Sequence, residues 1–105
     1  MQFLVCGYDG DDEAALGRRL RAREDHLALG DELRAKGNMI IGVALLDGDD
    51  WMVGSAIVVD FPDRADVDRW LEVEPYVVGD VWRRVEVTPC RVGPSFAHLL
   101  APGQD

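Results

Sequence analysis

Short apolar stretches at four places along the chain predict β-strands. The first extends from Gln2 to Tyr8 and is followed by a polar segment, Asp9 to Glu13. The second and third are MIIGVALL (39–46) and WMVGSAIVV (51–59), two apolar runs joined by a Gly/Asp turn, which is typical of a β-hairpin. In the fourth, WRRVEVTPC (82–90), polar and apolar residues alternate with period two, so one face of that strand is predicted to be wet.

The segments between these strands predict two helices. We expect the first to begin at a cap formed by Asp11 or Asp12, to run to about Lys36 and to stop at Gly37 and Asn38. Gly17 is a candidate break within it. A shorter helix is predicted from Asp63 to Glu72, with apolar residues at helical spacing and with Pro75 as the residue that closes it.

The predicted order is strand, helix, strand, strand, helix, strand. This order is typical of the ferredoxin-like βαββαβ arrangement, an α+β fold in which both helices cover one face of an antiparallel sheet. We therefore expect a single domain over residues 1–105, in which residues 92–105 form a Gly- and Pro-rich C-terminal tail.

The two hairpin strands are apolar on both of their faces. Ile41, Val43 and Leu45 alternate with equally apolar neighbours, whereas an antiparallel sheet with one wet face should alternate with polar residues. The helices cover one face, so a second copy packing sheet to sheet is the expected cover for the other. We predict a homodimer of the dimeric α+β barrel type. The alternative is that the 14-residue tail folds over this face, and it is short for that task.

Composition and charge narrow the possible partners. A chain of 105 residues with ordinary apolar content suits one globular domain. Its net charge of −9 argues against a nucleic-acid partner, and no apolar run approaches the ~20 residues of a membrane span. The N-terminus lacks a basic region and is expected to be a strand, not a signal peptide. With two separated cysteines, Cys6 and Cys90, and two histidines, we expect free thiols in a cytoplasmic protein, and neither a metal site nor another cofactor.

The long helix carries an unusual row of residues. At ~100° per residue, Leu16, Leu20 and Leu27 form one apolar side, and Ala15, Ala22, Leu29 and Leu33 form the other. Between them run Arg19, Arg23, His26 and Gly30. One interpretation is that His26 is a buried histidine bonded to the backbone and that Gly30 allows tight packing. The other is a functional site.

Several short motifs resemble those of the YciI-like (YCII-related) family. They lie, in the family's order and spacing, within residues 2–91: Arg23 to Leu27, matching Arg-x-x-His-Leu; Gly54-Ser55 within a strand; Asp60-Phe61; Glu74-Pro75-Tyr76; and Val81-Trp82 with Val85, Val87 and Pro89. The resemblance implies a dimeric ferredoxin-like fold and an active site built on the histidine and on the acid of an Asp-Pro motif. These correspond to His26 and Glu74.

The sequence departs from the family pattern at two positions. Gly42-Val43 stands where the family has Gly-Pro, and Glu74 replaces the usual Asp, so the carboxylate is one methylene longer. Histidine titrates near pH ~6.5, and a carboxylate on one ring nitrogen fixes its tautomer. We therefore predict His26 and Glu74 as a catalytic acid/base pair that meets near Ser55.

Three further residues are candidates for binding a substrate. Arg23 could bind a substrate carboxylate or pair with an acid of the protein. Ser55 could donate a hydrogen bond to a ligand or to His26, or it could merely pack in the strand. Tyr76 could line a pocket or belong to the core. The predicted function is a small-molecule enzyme acting on a small polar or carboxylated metabolite in a lyase or isomerase step. The alternative is a non-catalytic ligand-binding domain or a dimeric scaffold.

Overall fold

A computed structural model describes residues 1–100 of the chain. The elements follow in the order β1 (Gln2–Asp9), α1 (Ala15–Ala35), β2 (Met39–Leu46), β3 (Met52–Asp60), α2 (Arg64–Val73), α3 (Pro75–Val78), β4 (Trp82–Cys90) and a 3₁₀ helix (Pro94–Leu99). All four predicted strands are present. Part of the predicted tail, residues 101–105, lies outside the described residues.

The four strands form one antiparallel sheet in the order β2-β3-β1-β4. Residues Phe3 and Val5 of β1 and Ile57 and Val59 of β3 point to the same face and are almost completely buried. Apolar residues of the helices, including Leu29, Leu33, Val67, Trp70 and Tyr76, pack against this cluster. The predicted ferredoxin-like α+β fold is confirmed.

The opposite face of the sheet is apolar and open. Ile41 and Val43 of β2, paired with Val58 and Ala56 of β3, are 49% and 50% exposed. On β1, Leu4 and Cys6 belong to this face and are half-buried. We call Leu4, Cys6, Ile41, Val43, Ala56 and Val58 the open sheet face.

The start of α1 differs from the prediction. Ala14 is the N-cap residue and provides no side-chain hydrogen bond, so neither Asp11 nor Asp12 caps this helix. Asp12 instead accepts two hydrogen bonds from the guanidinium of Arg18, at 2.6 and 2.8 Å. The helix continues through Gly17 without a break. Its predicted end is confirmed, because Gly37 follows with a φ of 83°, a conformation that favours glycine.

The two apolar sides predicted for α1 do not have equal roles. Leu29 and Leu33 pack against the core, whereas Leu20 and Leu27 are about half exposed. The helix is therefore rotated so that Arg19 and its neighbours face the sheet. This rotation buries Arg19, leaves His26 and Gly30 partly buried and Arg23 exposed, and places Leu20 and Leu27 near the surface.

Pro75 closes α2 as predicted, but it also begins a helix that the sequence pattern did not indicate. Asp63 caps α2 by accepting from Asp66 N, and α2 ends at Val73. Glu74 then has an extended backbone, and its side chain caps α3, in which Pro75 is the first residue. Proline suits this position because the first turn of a helix does not need its missing N–H. This arrangement places Glu74 at the junction of two helices.

The two cysteines are unpaired. Cys6 lies opposite Glu86 in the β1–β4 ladder, whereas Cys90 lies opposite Gln2, four residues along the strand. At ~3.3 Å per residue the two thiols are too far apart to form a disulfide.

A separate prediction concerned the membrane: none of the helices in residues 1–100 has the length and apolar character that crossing a bilayer requires.

Candidate active site

His26 and Glu74 meet between α1 and the α2–α3 junction. Nδ1 of His26 and Oε1 of Glu74 are in direct hydrogen-bond contact. The Glu74 side chain is completely buried, while that of His26 retains 14% of its exposure. Nε2, the second ring nitrogen of His26, has no hydrogen-bond partner among residues 1–100. The extra methylene of Glu74 thus does not prevent the contact.

Two further donors hold the carboxylate of Glu74. Oε2 accepts a hydrogen bond from Trp70 Nε1 at 3.2 Å, and Oε1 also accepts one from the backbone N–H of Tyr76 at 3.2 Å. A buried carboxylate is costly unless its oxygens are satisfied by such donors. The position of Glu74 is therefore fixed by α2, by α3 and by His26 together.

The ring of Tyr76 lies directly against the imidazole. The His26 and Tyr76 rings stack with their centroids 3.8 Å apart and an interplanar angle of 12°. Trp82 packs edgewise on both rings, at 6.1 Å from His26 and 5.6 Å from Tyr76. Space for the indole comes from Gly7 on the neighbouring strand, where a Cβ would lie 2.2 Å from the Trp82 ring. The orientation of His26 is thus restricted by aromatic packing as well as by Glu74.

A buried ion pair lies two helical turns before His26. Nη1 of Arg19 donates to both carboxylate oxygens of Asp9, at 2.9 and 3.1 Å, and Nη2 donates to Ser55 Oγ at 2.7 Å. The guanidinium also lies over the Tyr76 ring, 4.6 Å from its centroid. Arg19 therefore joins β1, β3 and α3 beneath the first helix.

The buried environment changes the pKa of two of these groups. Burial raises the pKa of Asp9, and the guanidinium of Arg19 opposes that rise. Burial likewise raises the pKa of Tyr76, against the smaller opposing influence of Arg19 and Arg23. The phenol of Tyr76 consequently keeps its proton at neutral pH and can act as a hydrogen-bond donor.

A cavity of about 350 Å³ opens beside His26, between α1 and the edge strand β2. Its lining combines cationic and polar groups with apolar residues of β2 and includes Arg19, Arg23, His26, Gly30, Ser55 and Tyr76. Arg23 is exposed and forms no ion pair within the described part of the chain. A larger groove of about 720 Å³, lined by the end of β4 and the following segment, contains none of the predicted site residues.

The structure therefore brings the five predicted site residues to one place. Arg23, His26, Ser55 and Tyr76 line the cavity, and Glu74 lies behind His26. The hydroxyl of Ser55 bonds to Arg19 and not to His26, which was one of the partners considered for it. Gly30 leaves open space, because a Cβ there would meet only the Met39 sulfur, at 3.4 Å. Close packing of the helix does not require this glycine.

Sequence reasoning missed Asp9 and the role of Arg19. Asp9 falls in the polar segment predicted to follow the first strand, yet its side chain is only 2% exposed. The alternation of Phe3, Val5 and Gly7 on the inward face of β1 continues to Asp9, and this was the signal that could have identified it. Within residues 1–100 no group of three or more His, Cys, Asp or Glu side chains is arranged to hold a metal ion.

Comparison with known proteins gives consistent results. A family model described as YCII-related domain matches residues 1–91. The proteins named YciI from Escherichia coli O6:H1 and Shigella flexneri are each 27% identical over 93 residues, which cover 83% of this chain and 95% of theirs.

Two solved structures share the fold. The 5-chloro-2-hydroxyhydroquinone dehydrochlorinase of Burkholderia phenoliruptrix AC1100, in complex with 2,5-dihydroxybenzoquinone, is 22% identical with a TM-score of 0.78, covering 90% of this chain and 98% of its own. A dimeric ferredoxin-like protein of unknown function from Jannaschia sp. CCS1 is 17% identical with a TM-score of 0.52, covering 87% and 98%.

Proposed function

This chain belongs to the YCII-related domain family, and we propose that it is a small-molecule enzyme in which His26 and Glu74 form an acid/base pair. The proposed substrate is a small polar or carboxylated metabolite, and the proposed step is of the lyase or isomerase type. One observation carries the proposal: Glu74 occupies Nδ1 of His26, while Nε2 stays unpaired in a side chain that lines the cavity.

In the proposed mechanism, Glu74 accepts a hydrogen bond from Nδ1–H of His26 and so holds the tautomer in which Nε2 has the free lone pair. Nε2 takes a proton from the substrate, and the negative charge of Glu74 stabilises the imidazolium that results. His26 then returns the proton to a different atom of the substrate in an isomerisation, or to a leaving group in an elimination. The stacked Tyr76 ring keeps the imidazole in one orientation during both transfers.

Binding of the substrate is assigned to Arg23, Ser55 and Tyr76. Arg23 and Arg34 line the cavity and have no acidic partner in the described residues, so Arg23 is available to a carboxylate. Ser55 and Tyr76 line the same cavity. With Arg19 paired to Asp9, the unpaired charges at the lining are those of Arg23 and Arg34 against that of Asp31, a balance that supports an anionic substrate on a chain of net charge −9.

The dehydrochlorinase gives independent support for the reaction class. Its name describes the removal of hydrogen chloride from a hydroxylated ring compound, an elimination in which a base removes a proton. At 22% identity this protein shares the fold, and its substrate is not transferred here. Elimination is a reaction that a histidine base can serve, and this supports the proposed reaction class.

We also propose that the enzyme is a homodimer formed through the open sheet face. Half-exposed Ile41 and Val43 support this assembly, and so does the description of the Jannaschia protein as dimeric. A cytoplasmic location, inferred from the two free thiols, stays a prediction.

The alternatives are a non-catalytic ligand-binding domain and a scaffold. A scaffold needs no space beside His26, so the cavity of about 350 Å³ favours an enzyme or a binding protein. A thermal-shift screen of small polar and carboxylated metabolites, followed by mass spectrometry of each binding compound after incubation, separates the three functions.

If the chain is an enzyme, we expect that at least one bound compound is converted and that His26→Gln lowers the conversion rate by about 100-fold or more. Binding without conversion would support the ligand-binding domain. Absence of any bound compound would support the scaffold. Glu74→Gln should also lower the conversion rate, because a neutral amide does not stabilise the imidazolium. Glu72→Gln, which changes an exposed acid near the end of α2, is its matched control and should leave conversion unchanged.

A further inference from the structure

The ion pair of Arg19 and Asp9 has no role in the proton transfers described above. Its two side chains are 3% and 2% exposed, whereas those of the neighbouring pair Arg18–Asp12 are 13% and 47% exposed. The free energy lost when two charges are removed from water commonly exceeds the free energy gained from their attraction. A buried ion pair is therefore weak evidence of a stabilising role. A pair retained at a cavity wall therefore calls for another explanation.

The geometry around Arg19 supplies one. A guanidinium only donates hydrogen bonds, so the 2.7 Å contact with Ser55 requires that Oγ of Ser55 be the acceptor. The hydroxyl proton of Ser55 is then left over, and residues 1–100 offer it no acceptor. Ser55 is 3% exposed, and the space next to it is the cavity. A buried donor without a partner is costly unless a bound molecule or a water accepts its proton.

The hydroxyl of Tyr76 is a second unpaired group on a residue that lines this cavity. Tyr76 is almost completely buried and lines the cavity, and its phenolic oxygen has no hydrogen-bond partner in the described residues. Its ring lies against the Arg19 guanidinium as well as against His26. Arg19 thus contacts both of the residues whose hydroxyl protons are unused.

We propose that Arg19 and Asp9 are positioning residues that direct the hydroxyl proton of Ser55 towards an oxyanion of the bound molecule, at a cavity that Tyr76 also lines. Asp9 holds Nη1, which fixes the plane of the guanidinium, and Nη2 then occupies the acceptor side of Ser55. The adjacent positive charge also strengthens the Ser55 hydroxyl as a donor. The ligand class is a small carboxylate or enolate, and this assignment rests on the proposed function in that the oxyanion binds beside His26.

The test replaces the ion pair without leaving an unpaired charge. The double variant Asp9→Leu/Arg19→Met substitutes apolar side chains, an exchange that commonly preserves stability. Asp12→Leu/Arg18→Met, at the less buried neighbouring pair, is the matched control. Ser55→Ala is a second variant that removes only the hydroxyl. Thermal unfolding reports the stability of each variant, and the NMR shifts of the backbone amides at positions 55 and 76 report binding.

The probes are benzoate and benzamide, a charged and a neutral molecule of one ring that fit a cavity of this size. We expect wild type to bind benzoate more tightly than benzamide. We expect the double variant and Ser55→Ala to lose about tenfold in benzoate affinity, the value of one charge-assisted hydrogen bond, with little change for benzamide. The control pair should bind both probes as wild type does.

Three outcomes would overturn the proposal, and they separate it from the proposed function. Benzoate affinity within twofold of wild type in stable variants would make the ion pair structural and leave the acid/base function intact. Equal binding of the two probes by wild type would remove the oxyanion site alone. Binding of neither probe would count against a ligand site beside His26, and so against both. Where the double variant does not fold, Ser55→Ala decides between these results.

Discussion

At the scale of single residues, Glu74 joins the histidine of the site to both α2 and α3. Its buried carboxylate contacts His26, accepts from Trp70 Nε1 and caps α3 through the Tyr76 amide. Removing a carboxylate that satisfies several buried donors leaves each of them unpaired. The stability of the protein and the orientation of its histidine therefore depend on the same side chain.

We predict that Glu74→Ala lowers the free energy of unfolding by about 3 kcal/mol or more, because it combines lost hydrogen bonds with a cavity. Glu72→Ala, an exposed position in α2, should change it by no more than about 0.5 kcal/mol. Urea denaturation of the two variants measures both values. Equal effects would show that the Glu74 contacts contribute little.

Gly7 is the second residue on which the site depends. A Cβ at this position would lie 2.2 Å from the Trp82 ring, too close for any real contact, so Gly7→Ala must displace the indole. We predict a loss of about 2 kcal/mol in the free energy of unfolding. Gly42→Ala, whose Cβ would meet Ile57 at an ordinary 3.5 Å, is the control and should cost far less. A Gly7→Ala protein as stable as that control would contradict the tight contact.

The residue scale also shows where sequence reasoning reached its limit. His26 and Glu74 could be singled out because helical spacing put the histidine inward and a family motif supplied the acid. Asp9 continues the inward alternation of β1, but it stands beside Asp11, Asp12 and Glu13, so the alternation identifies it only if β1 is known to extend that far. The partner of Ser55 likewise depends on how α1 is rotated over the sheet, which the half-apolar pattern of that helix does not determine.

At the scale of elements, α1 contains two glycines with different surroundings. Gly17 and Gly30 both lie inside the helix, where alanine is favoured by up to about 1 kcal/mol. A Cβ at Gly17 would contact only a flexible arginine, whereas one at Gly30 would meet Met39 within the cavity. Gly30 thus lowers the stability of the helix at a position where a side chain would occupy part of the cavity.

We predict that Gly17→Ala and Gly30→Ala both raise the stability of the protein, and that only Gly30→Ala weakens binding of the metabolite found by screening. Thermal unfolding and a binding titration of each variant provide the comparison. Unchanged ligand affinity in Gly30→Ala would mean that the space beside Gly30 is not used by the ligand.

Most elements were predictable because their signals are local. The hairpin follows from two apolar runs and an Asp/Gly turn, and the end of α1 follows from Gly37. The four-residue α3 was not predictable from periodicity, since one turn has no repeat to detect. Pro75 is compatible both with the end of one helix and with the start of the next. Which of the two roles Pro75 has becomes clear only from the structure, in which Glu74 contacts both helices and Pro75 has both roles.

At the scale of the whole molecule, the open sheet face determines the expected assembly. Apolar residues half exposed on a flat face are a common basis for pairing with a second copy. We predict that sedimentation at micromolar concentration gives a dimer, and that Val43→Lys converts it to a monomer by placing a charge in the interface.

Val78→Lys is the control for this prediction. Val78 is 68% exposed on α3, which packs on the face of the sheet opposite to the open sheet face, and the substitution makes the same change in net charge. The control protein should therefore remain a dimer. A wild-type monomer, or a Val43→Lys dimer as stable as the control, would contradict the proposed interface.

The most direct test of the central claim is ¹⁵N NMR of the His26 ring, with His98 of the 3₁₀ helix as an internal reference. We predict that neutral His26 carries its proton on Nδ1 and that its N–H resonance lies downfield. In Glu74→Gln this resonance should move upfield, because a neutral acceptor replaces a charged one and the hydrogen bond is weaker. The His98 signals should not change. A proton on Nε2 in wild type, or a His26 spectrum unaffected by Glu74→Gln, would contradict the assignment of His26 and Glu74 as an acid/base pair.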